Sequence, residues 1–599
     1  MGYHVAAADL THGPMLGAVT QSGVRVWGRT SGPANLQVRF GTEFEKLDAT
    51  STASTKTQLE HDFAGWLSLE PLKPDARYYF QFLVDGRAAG EVGSFRTLPA
   101  AADYRHAEHN PKGLFNFRFE FGSCANQNPE HGIGPSLPTY DTLVRQEAEN
   151  VHFAIMNGDW LYEELRGYSA DQWRAQVGVT GGQTPTAVRL APSIAGVWEN
   201  YKLYMRRAPN LMEWHRRVPS YFTFDDHELV NDIRGCATVG FRERRTVFRD
   251  IGIQAWHDYL GWANPIPATA PIHFGQARFQ TGSDILVDST SDFTNLNLQD
   301  LPTLHVHWGT QTAGENDMKF DDDKLGDPNS RVYQVVGRLD KHRLRIQPPA
   351  VADSVSSYSI GRRNYTSFRV ANCEYYLLDL KTYRQMHDPK HPAKPGLTML
   401  GQAQKRWLLE SMQQSSADFF FIVSSNNFMI PHDGAGGFEF AEGKDDAWTA
   451  LLDEREQMLT AWEALNKPVF ILTADLHNSF AIKITDRIWE FASGPHNSVN
   501  HVPANDEGGR PATGLYKSGS RVCDIRWSTY IQPDLERLQR LYPMYCVAQV
   551  NNVYNMPKKL GDSRWVAYPH PQIVFQYFDG RTGQLRYAES ISVPRSTNK

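Results

Sequence analysis

Four apolar runs of strand length, far apart in the chain, stop at clusters of side chains that bind metal ions. FEFG leads into Ser123-Cys124, and VHFAIM into Asn157-Gly158-Asp159, followed by Tyr162-Glu163. SYFTF leads into Asp225-Asp226-His227-Glu228, and PVFILTA into Asp475 and His477. The runs are rich in aromatic and β-branched residues, as buried strands are. Together with DILVDS, YYLLDL and FFFIVSS they alternate with helix-like stretches such as PTYDTLVRQEAEN and LGQAQKRWLLESMQQ. That alternation predicts a layered α/β domain. In such domains the carboxyl ends of neighbouring strands open onto one crevice, where ligands bind. Four ligand clusters at the same structural position therefore predict a single site.

Upstream the pattern is different. Over residues 10–100, short alternating runs such as GVRVWGRT, ANLQVRFG and RYYFQFLVDG are separated by Gly, Pro and Asp turns. They predict a β-sandwich of the immunoglobulin or fibronectin type. A polar stretch to about residue 113 reads as a linker, and residues 115–593 as the α/β domain. Strand-like runs after residue 541 either extend a sheet or pack a second one.

Composition removes several alternatives. A net charge of −6 argues against a nucleic-acid scaffold, which needs a basic surface to displace counterions. An anionic substrate then needs local help from metal or arginine. The five cysteines are odd in number and lack CxxC pairs, which excludes a disulfide framework and a structural zinc knuckle. No apolar run reaches the length of a membrane span, and no signal peptide is visible in MGYHVAAADLTHGP.

The residue types suit a mixed metal centre. Gly158 lets the backbone turn and bring the Asp159 carboxylate close to an ion. A carboxylate can bridge two cations, and paired cations stabilise both the attacking and the leaving oxygen in phosphoryl transfer. The Tyr162 phenol, with an ordinary pKa near 10, binds as phenolate only beside a strongly acidic cation, which suggests ferric iron (Fe3+). Cys124 and His477 suit the same sphere. Asp475, Asp226 and the amide oxygen of Asn231 are hard donors for Ca2+, Mg2+ or Mn2+.

The motifs GSCANQ, NGDWLYEE, FDDHELVND, LDLKTYRQ, MLGQAQKRWLL and TADLH occur in that order. In combination they resemble the PhoD-like alkaline phosphatases, and GDWLY alone resembles the GDxxY element of metallophosphoesterases. The opening HGPMLGAVTQSGVRVWGRT is similar to that family's N-terminal β-domain. The resemblance implies a metallophosphoesterase-like core and hydrolysis of phosphate esters, with diesterase or phospholipase-type activity and an inactive metal-binding homologue as alternatives. It implies iron held by Cys124, Tyr162 and His477, with Asp159 bridging. Asp475 and Asn231, with Asp225 or Asp226, are then ligands of a divalent ion, Ca2+ first. It further implies Arg384 as a phosphate clamp, His227 as proton donor to the leaving alkoxide, Asp446 as an extra ligand, and a periplasmic or secreted location. Ala474, Phe224 and Leu380-Lys381 depart from the family pattern, and Lys381 removes a guanidinium.

Each residue also has a structural explanation. Asp225, Asp226 and Asp475 are good helix N-caps, Cys124 is a small buried apolar residue, and Arg384 is a salt-bridge partner. The glycine-rich GAGGFEF at 434–440 lacks the P-loop pattern and reads as a loop.

Overall fold

The computed structural model describes residues 7–265, 271–296, 298, 303–307, 326–388, 390–433, 445–556 and 564–593. Two large sheets face each other at its centre. In the first, Phe117–Gly122, Phe153–Asn157 and Ser220–Thr223 run parallel. In the second, Cys373–Leu377, Phe419–Val423, Val469–Thr473 and Ile488–Ala492 run parallel.

The alternation along each strand explains the layering. Phe153 and Ile155 point into the space between the sheets, while Ala154 and Met156 point to the opposite face. Phe419, Phe421 and Val423 enter the same inner layer from the second sheet, and Phe420 and Ile422 turn outward. Phe119 meets Phe421 edge-on across the gap, with ring centroids 5.3 Å apart. Each such buried aromatic contributes roughly 1.5–3 kcal/mol. Helices Pro138–Gln146, Ile194–Arg207, Pro209–Arg217 and Arg249–Tyr259 cover the outer face of the first sheet. Gly401–Gln414 and Leu452–Glu463 cover the second. In Gly401–Gln414 the buried residues Gln404, Leu408 and Met412 recur every fourth position, a narrow stripe facing the sheet.

The strand-like C-terminal runs extend the first sheet: Met544–Met556 pairs antiparallel with Phe117–Gly122 and continues through Arg564–Asp579 and Leu585–Ser592. The N-terminal strands split. Asn35–Gly41, Arg77–Val84 and Arg87–Arg96 belong to a smaller sheet. Leu10–Gly17, Val24–Thr30 and Ala64–Leu69 join the large first sheet through a parallel bridge between Gly17 and Ser220. The region below residue 100 is thus continuous with the sheet that carries three of the four ligand-bearing strand ends.

DILVDS, expected in the α/β core, lies elsewhere. Its Ile285–Val287 strand belongs to a closed six-stranded barrel built from residues between His273 and Ile360. The barrel has its own core around Phe279, Leu304, Tyr333 and Tyr358. A three-residue apolar strand carries no periodicity that could assign it to one sheet or another. The GAGGFEF stretch lies outside the described residues.

One side chain ties the strand ends of both sheets. Asn157 closes the inner face of its strand, and its Nδ2 donates to the carbonyls of Ser424 and Leu472, each at 3.0 Å. Its Oδ1 accepts from Thr223 Oγ1 at 2.9 Å. Asn157→Ala strands the Ser424 carbonyl and the Thr223 hydroxyl and leaves the Leu472 carbonyl with the Ser424 N–H alone, and is expected to destabilise the protein by about 2–4 kcal/mol. Denaturant unfolding against the wild type reads this directly; an unchanged midpoint would show that the tie contributes nothing.

Candidate metal centre

The four strand ends meet. Cys124, Asp159 and His477 offer Sγ, carboxylate oxygen and ring nitrogen all within 4.8 Å of one another. Two further groups of the same tightness share Asp159: one with Asp226 and His227, the other with Asp225 and Asp475. Asp226, Asp232 and Asp446 form a fourth. Tyr162 Oη lies 3.2 Å from Asp159 Oδ2 and 2.9 Å from His477 Nε2, and Cys124 Sγ lies 3.6 Å from Asp159 Oδ2. Asp159 belongs to three of the four groups, a position from which a carboxylate can bridge two cations.

The backbone is bent to deliver these groups. Cys124, Asp159, Asp475 and His477 all adopt positive φ, at 60°, 56°, 65° and 25°. For residues with a Cβ this region is costly, and such residues gather at functional sites. Gly158 has φ +83°, and a Cβ there would lie 2.7 Å from that of Asp225. Its glycine therefore serves the turn and also the approach that places Asp225 beside Asp159.

Buried carboxylates hold the loops. Glu228 accepts from the backbone N–H groups of Asp159 at 3.1 Å, Trp160 at 2.7 Å and Asp225 at 2.8 Å. Glu163 accepts from the Asn231 backbone at 2.7 Å and pairs with His227 Nδ1 at 2.7 Å. His227 stacks on Tyr162 with centroids 3.9 Å apart. Burial works against its charge, but Glu163, Asp226 and Asp159 outweigh it and hold His227 well above the usual histidine range.

The electrostatics call for cations. Burial pushes the Asp159 carboxyl far up; His227 opposes this, and Asp226, Asp225 and Glu228 push it further. Burial and then Asp225 raise Asp226 to about 7. Burial, followed by Asp159, raises both the Cys124 thiol and the Tyr162 phenol well above their ordinary values. Burial lowers His477 to about 3, leaving a neutral imidazole. Asp159 Oδ1 and Asp226 Oδ1 are buried without a hydrogen-bond partner, which costs free energy unless something else binds them. Thiolate, phenolate, imidazole and carboxylates around orphaned oxygens fit metal ions well.

Two expected residues sit differently. Arg384 is fully buried. Its terminal nitrogens donate to the carbonyls of Asp446 at 3.0 Å and Asp445 at 3.1 Å, and it pairs with Asp446 Oδ1 at 2.9 Å. Its terminal nitrogens thus support Asp446 of the fourth group, while its Nε has no hydrogen-bond partner. Asn231 stands at the edge, its amide donating to Asp232 Oδ2 at 3.0 Å. No helix begins at Asp225, Asp226 or Asp475, so helix capping does not explain them.

Some neighbours escaped the sequence analysis. Asn426 Nδ2 donates to Asp475 Oδ2 at 3.2 Å, and His432 Nδ1 lies 2.8 Å from the same oxygen. His501 packs between His432 and His477 with its ring tilted against both, at centroid distances of 5.1 Å and 4.5 Å. Asn426 follows Phe419–Val423, so the strand-end argument applied to FFFIVSS would have found it. His432 and His501 lie on irregular segments with no spacing signal. Lys381, read as a lost guanidinium, places its Nζ 2.9 Å from Asp225 Oδ1.

The chain is similar to known proteins over much of its length. A family model described as PhoD-like phosphatase matches residues 119–282 and 351–524, more than half of the chain, and one described as that family's N-terminal domain matches residues 3–99. Residues 283–350, which carry most of the barrel, fall between the two core matches. Alkaline phosphatase D of Bacillus subtilis (strain 168) is 24% identical over 200 residues. That alignment covers 33% of this chain and 30% of the relative, so it spans less than a third of that protein's length. A solved structure of PhoD superposes with a TM-score of 0.54 at 14% identity, covering 100% of this chain and 95% of the other. A purple acid phosphatase from yellow lupin (Lupinus luteus) seeds gives 0.48 at 10% identity, covering 97% and 74%. With one family model spanning the α/β core on both sides of the barrel and another the region before it, the chain belongs to the PhoD-like phosphatase family.

Proposed function

We propose that this protein is a metal-dependent phosphoric ester hydrolase of the alkaline phosphatase kind, releasing inorganic phosphate. The observation that carries the proposal is the sharing of Asp159 between two ligand groups, one with Cys124 and His477 and one with Asp225 and Asp475. Cys124, Asp159, Tyr162 and His477 would hold one ion, and Asp159, Asp475 and Asp225 or Asp226 another, with Asn231 beside them. Bound there, paired cations supply charge neutralisation for the phosphoryl oxygens and the leaving oxygen.

The remaining work falls to the protein. Neutral His477 offers its Nε2 lone pair to an ion, because its Nδ1–H donates to the Val499 carbonyl at 2.8 Å; that contact fixes the ring's orientation and tautomer. Glu163 fixes His227 in the same way and keeps a proton on it. A charged imidazole beside the ligand group can protonate a departing alkoxide. Glu228 fixes the Asp159 and Asp225 backbones, so the carboxylates need no rearrangement during turnover.

Asp159→Asn weakens both ion positions and should lower turnover of p-nitrophenyl phosphate by more than about a hundredfold, beyond the usual loss of a supporting partner. Circular dichroism should show an intact fold. Chelation should abolish the wild-type activity, and Ca2+, Mg2+ or Mn2+ should restore it. Near-normal activity in the variant, or in thoroughly demetallated wild type, would refute the proposal.

For the Tyr162 position we propose ferric iron and for its neighbour Ca2+, because a phenol held up by burial ionises only beside a strongly acidic cation. Iron-loaded protein should then show a visible phenolate-to-iron absorption band. Tyr162→Phe should erase it, and Cys124→Ser should shift it. Persistence of the band in the Phe variant would remove Tyr162 from the iron sphere.

A further inference from the structure

The acidic groups are not balanced evenly by the protein's own cations. Among the described residues, no lysine or arginine pairs with Cys124, Asp159, Tyr162 or His477. On the other side three cations stand close. Lys381 Nζ lies 2.9 Å from Asp225 Oδ1, Arg384 Nη1 lies 2.9 Å from Asp446 Oδ1, and Arg245 Nη1 lies 4.0 Å from Asp232 Oδ2. Of these, Lys381 alone contacts a residue grouped with Asp159 and Asp475.

Lys381 is fixed there. Its side chain exposes no surface. Its backbone N–H donates to Asp379 Oδ1 at 3.2 Å, and so does that of Thr382 at 2.9 Å. The Asp379 backbone is gripped at both ends by the Gln404 amide, which accepts from its N–H at 2.9 Å and donates to its carbonyl at 2.8 Å. The result is an ammonium on a rigid turn, pressed against a candidate ligand oxygen.

We propose that Lys381 is a built-in competitor for metal, whose ammonium occupies Asp225 and thereby sets how tightly the Asp225–Asp475 side of the centre holds an exchangeable divalent ion. An ammonium and a divalent cation both seek the Asp225 oxygens, and the two positive charges repel at short range in a buried site. Lys381 is thus a positioning and specificity residue rather than a catalytic one. It leaves the Cys124–Tyr162–His477 side unaffected, since its ion pair is with Asp225. This inference rests on the centre being a metal site.

The test is calorimetric titration of chelator-treated protein with Ca2+ and with Mn2+, together with elemental analysis after desalting. Lys381→Met keeps an unbranched chain and removes the charge. It should bind the divalent ion at least about tenfold more tightly, or retain one more ion per chain, while Lys381→Arg stays near wild type. A folded Met variant with unchanged or weaker affinity overturns the role of Lys381 while leaving the metal centre standing. A wild type that takes up no divalent ion overturns the metal centre itself. If the Met variant does not fold, the 13Cε resonance of Lys381 in wild-type protein, assigned by its loss in the Arg variant, must move as Ca2+ is added. An unmoved resonance during saturable Ca2+ binding overturns the proposal.

Discussion

Mutual repulsion among buried acids is the constraint on which this structure turns. Asp159, Asp225, Asp226 and Asp475 converge at the ends of two sheets, with Cys124 and Tyr162 beside them. Two like charges 4 Å apart repel by about 4 kcal/mol at an effective dielectric constant near 20. A folded chain has only about 5–15 kcal/mol of net stability, so a few such pairs ionised together would exhaust it. Either the groups hold protons, as burial and their neighbours dictate, or cations enter. Lys381, Arg384 and Arg245 relieve one side. On the side of Cys124, Tyr162 and His477 the charged His227 imidazole against Tyr162 stands without a lysine or arginine among the described residues, and the donor chemistry there suits a metal ion.

The rest of the fold can be seen as the means of holding that arrangement together. An aromatic layer glues the sheets, and Asn157 pins their carboxyl ends to a common edge. At that edge four ligand residues take up left-handed backbone conformations, which persist only where surroundings over-determine them. Glu228 does part of this by accepting three backbone N–H groups from the Asp159 and Asp225 turns. Replacing either half, the glue or the bent turns, would leave ligands of the right kind in the wrong place.

The legible part of the sequence was the part governed by periodicity and by abrupt chemical change. Strand runs ending in Cys124, Asp159, Asp225 and Asp475 announced both the layered domain and the convergence, because a parallel sheet aligns its carboxyl ends. Supporting contacts were hidden, since they depend on which segments pack together. Arg384 looked like a clamp for substrate and grips Asp446, and Lys381 looked like a deficit and is an ion-pair partner of Asp225. DILVDS reads as a core strand because a strand as short as Ile285–Val287 carries no period; longer barrel strands such as His273–Phe279 and Arg343–Gln347 carry one, but alternation alone does not tell which sheet a strand joins. Residues 10–100 read as a separate unit because their turns are local, whereas the bridge from Gly17 to Ser220 is not.

The central claim is that a multivalent ion sits where Cys124, Asp159, Tyr162 and His477 converge. Anomalous diffraction from crystals of protein purified without chelator tests this most directly, with data collected on both sides of the iron absorption edge. The account predicts an edge-dependent peak bounded by those four side chains, and a second, edge-independent ion beside Asp475. Crystals of active protein with no peak at the four side chains on either side of the edge would contradict it.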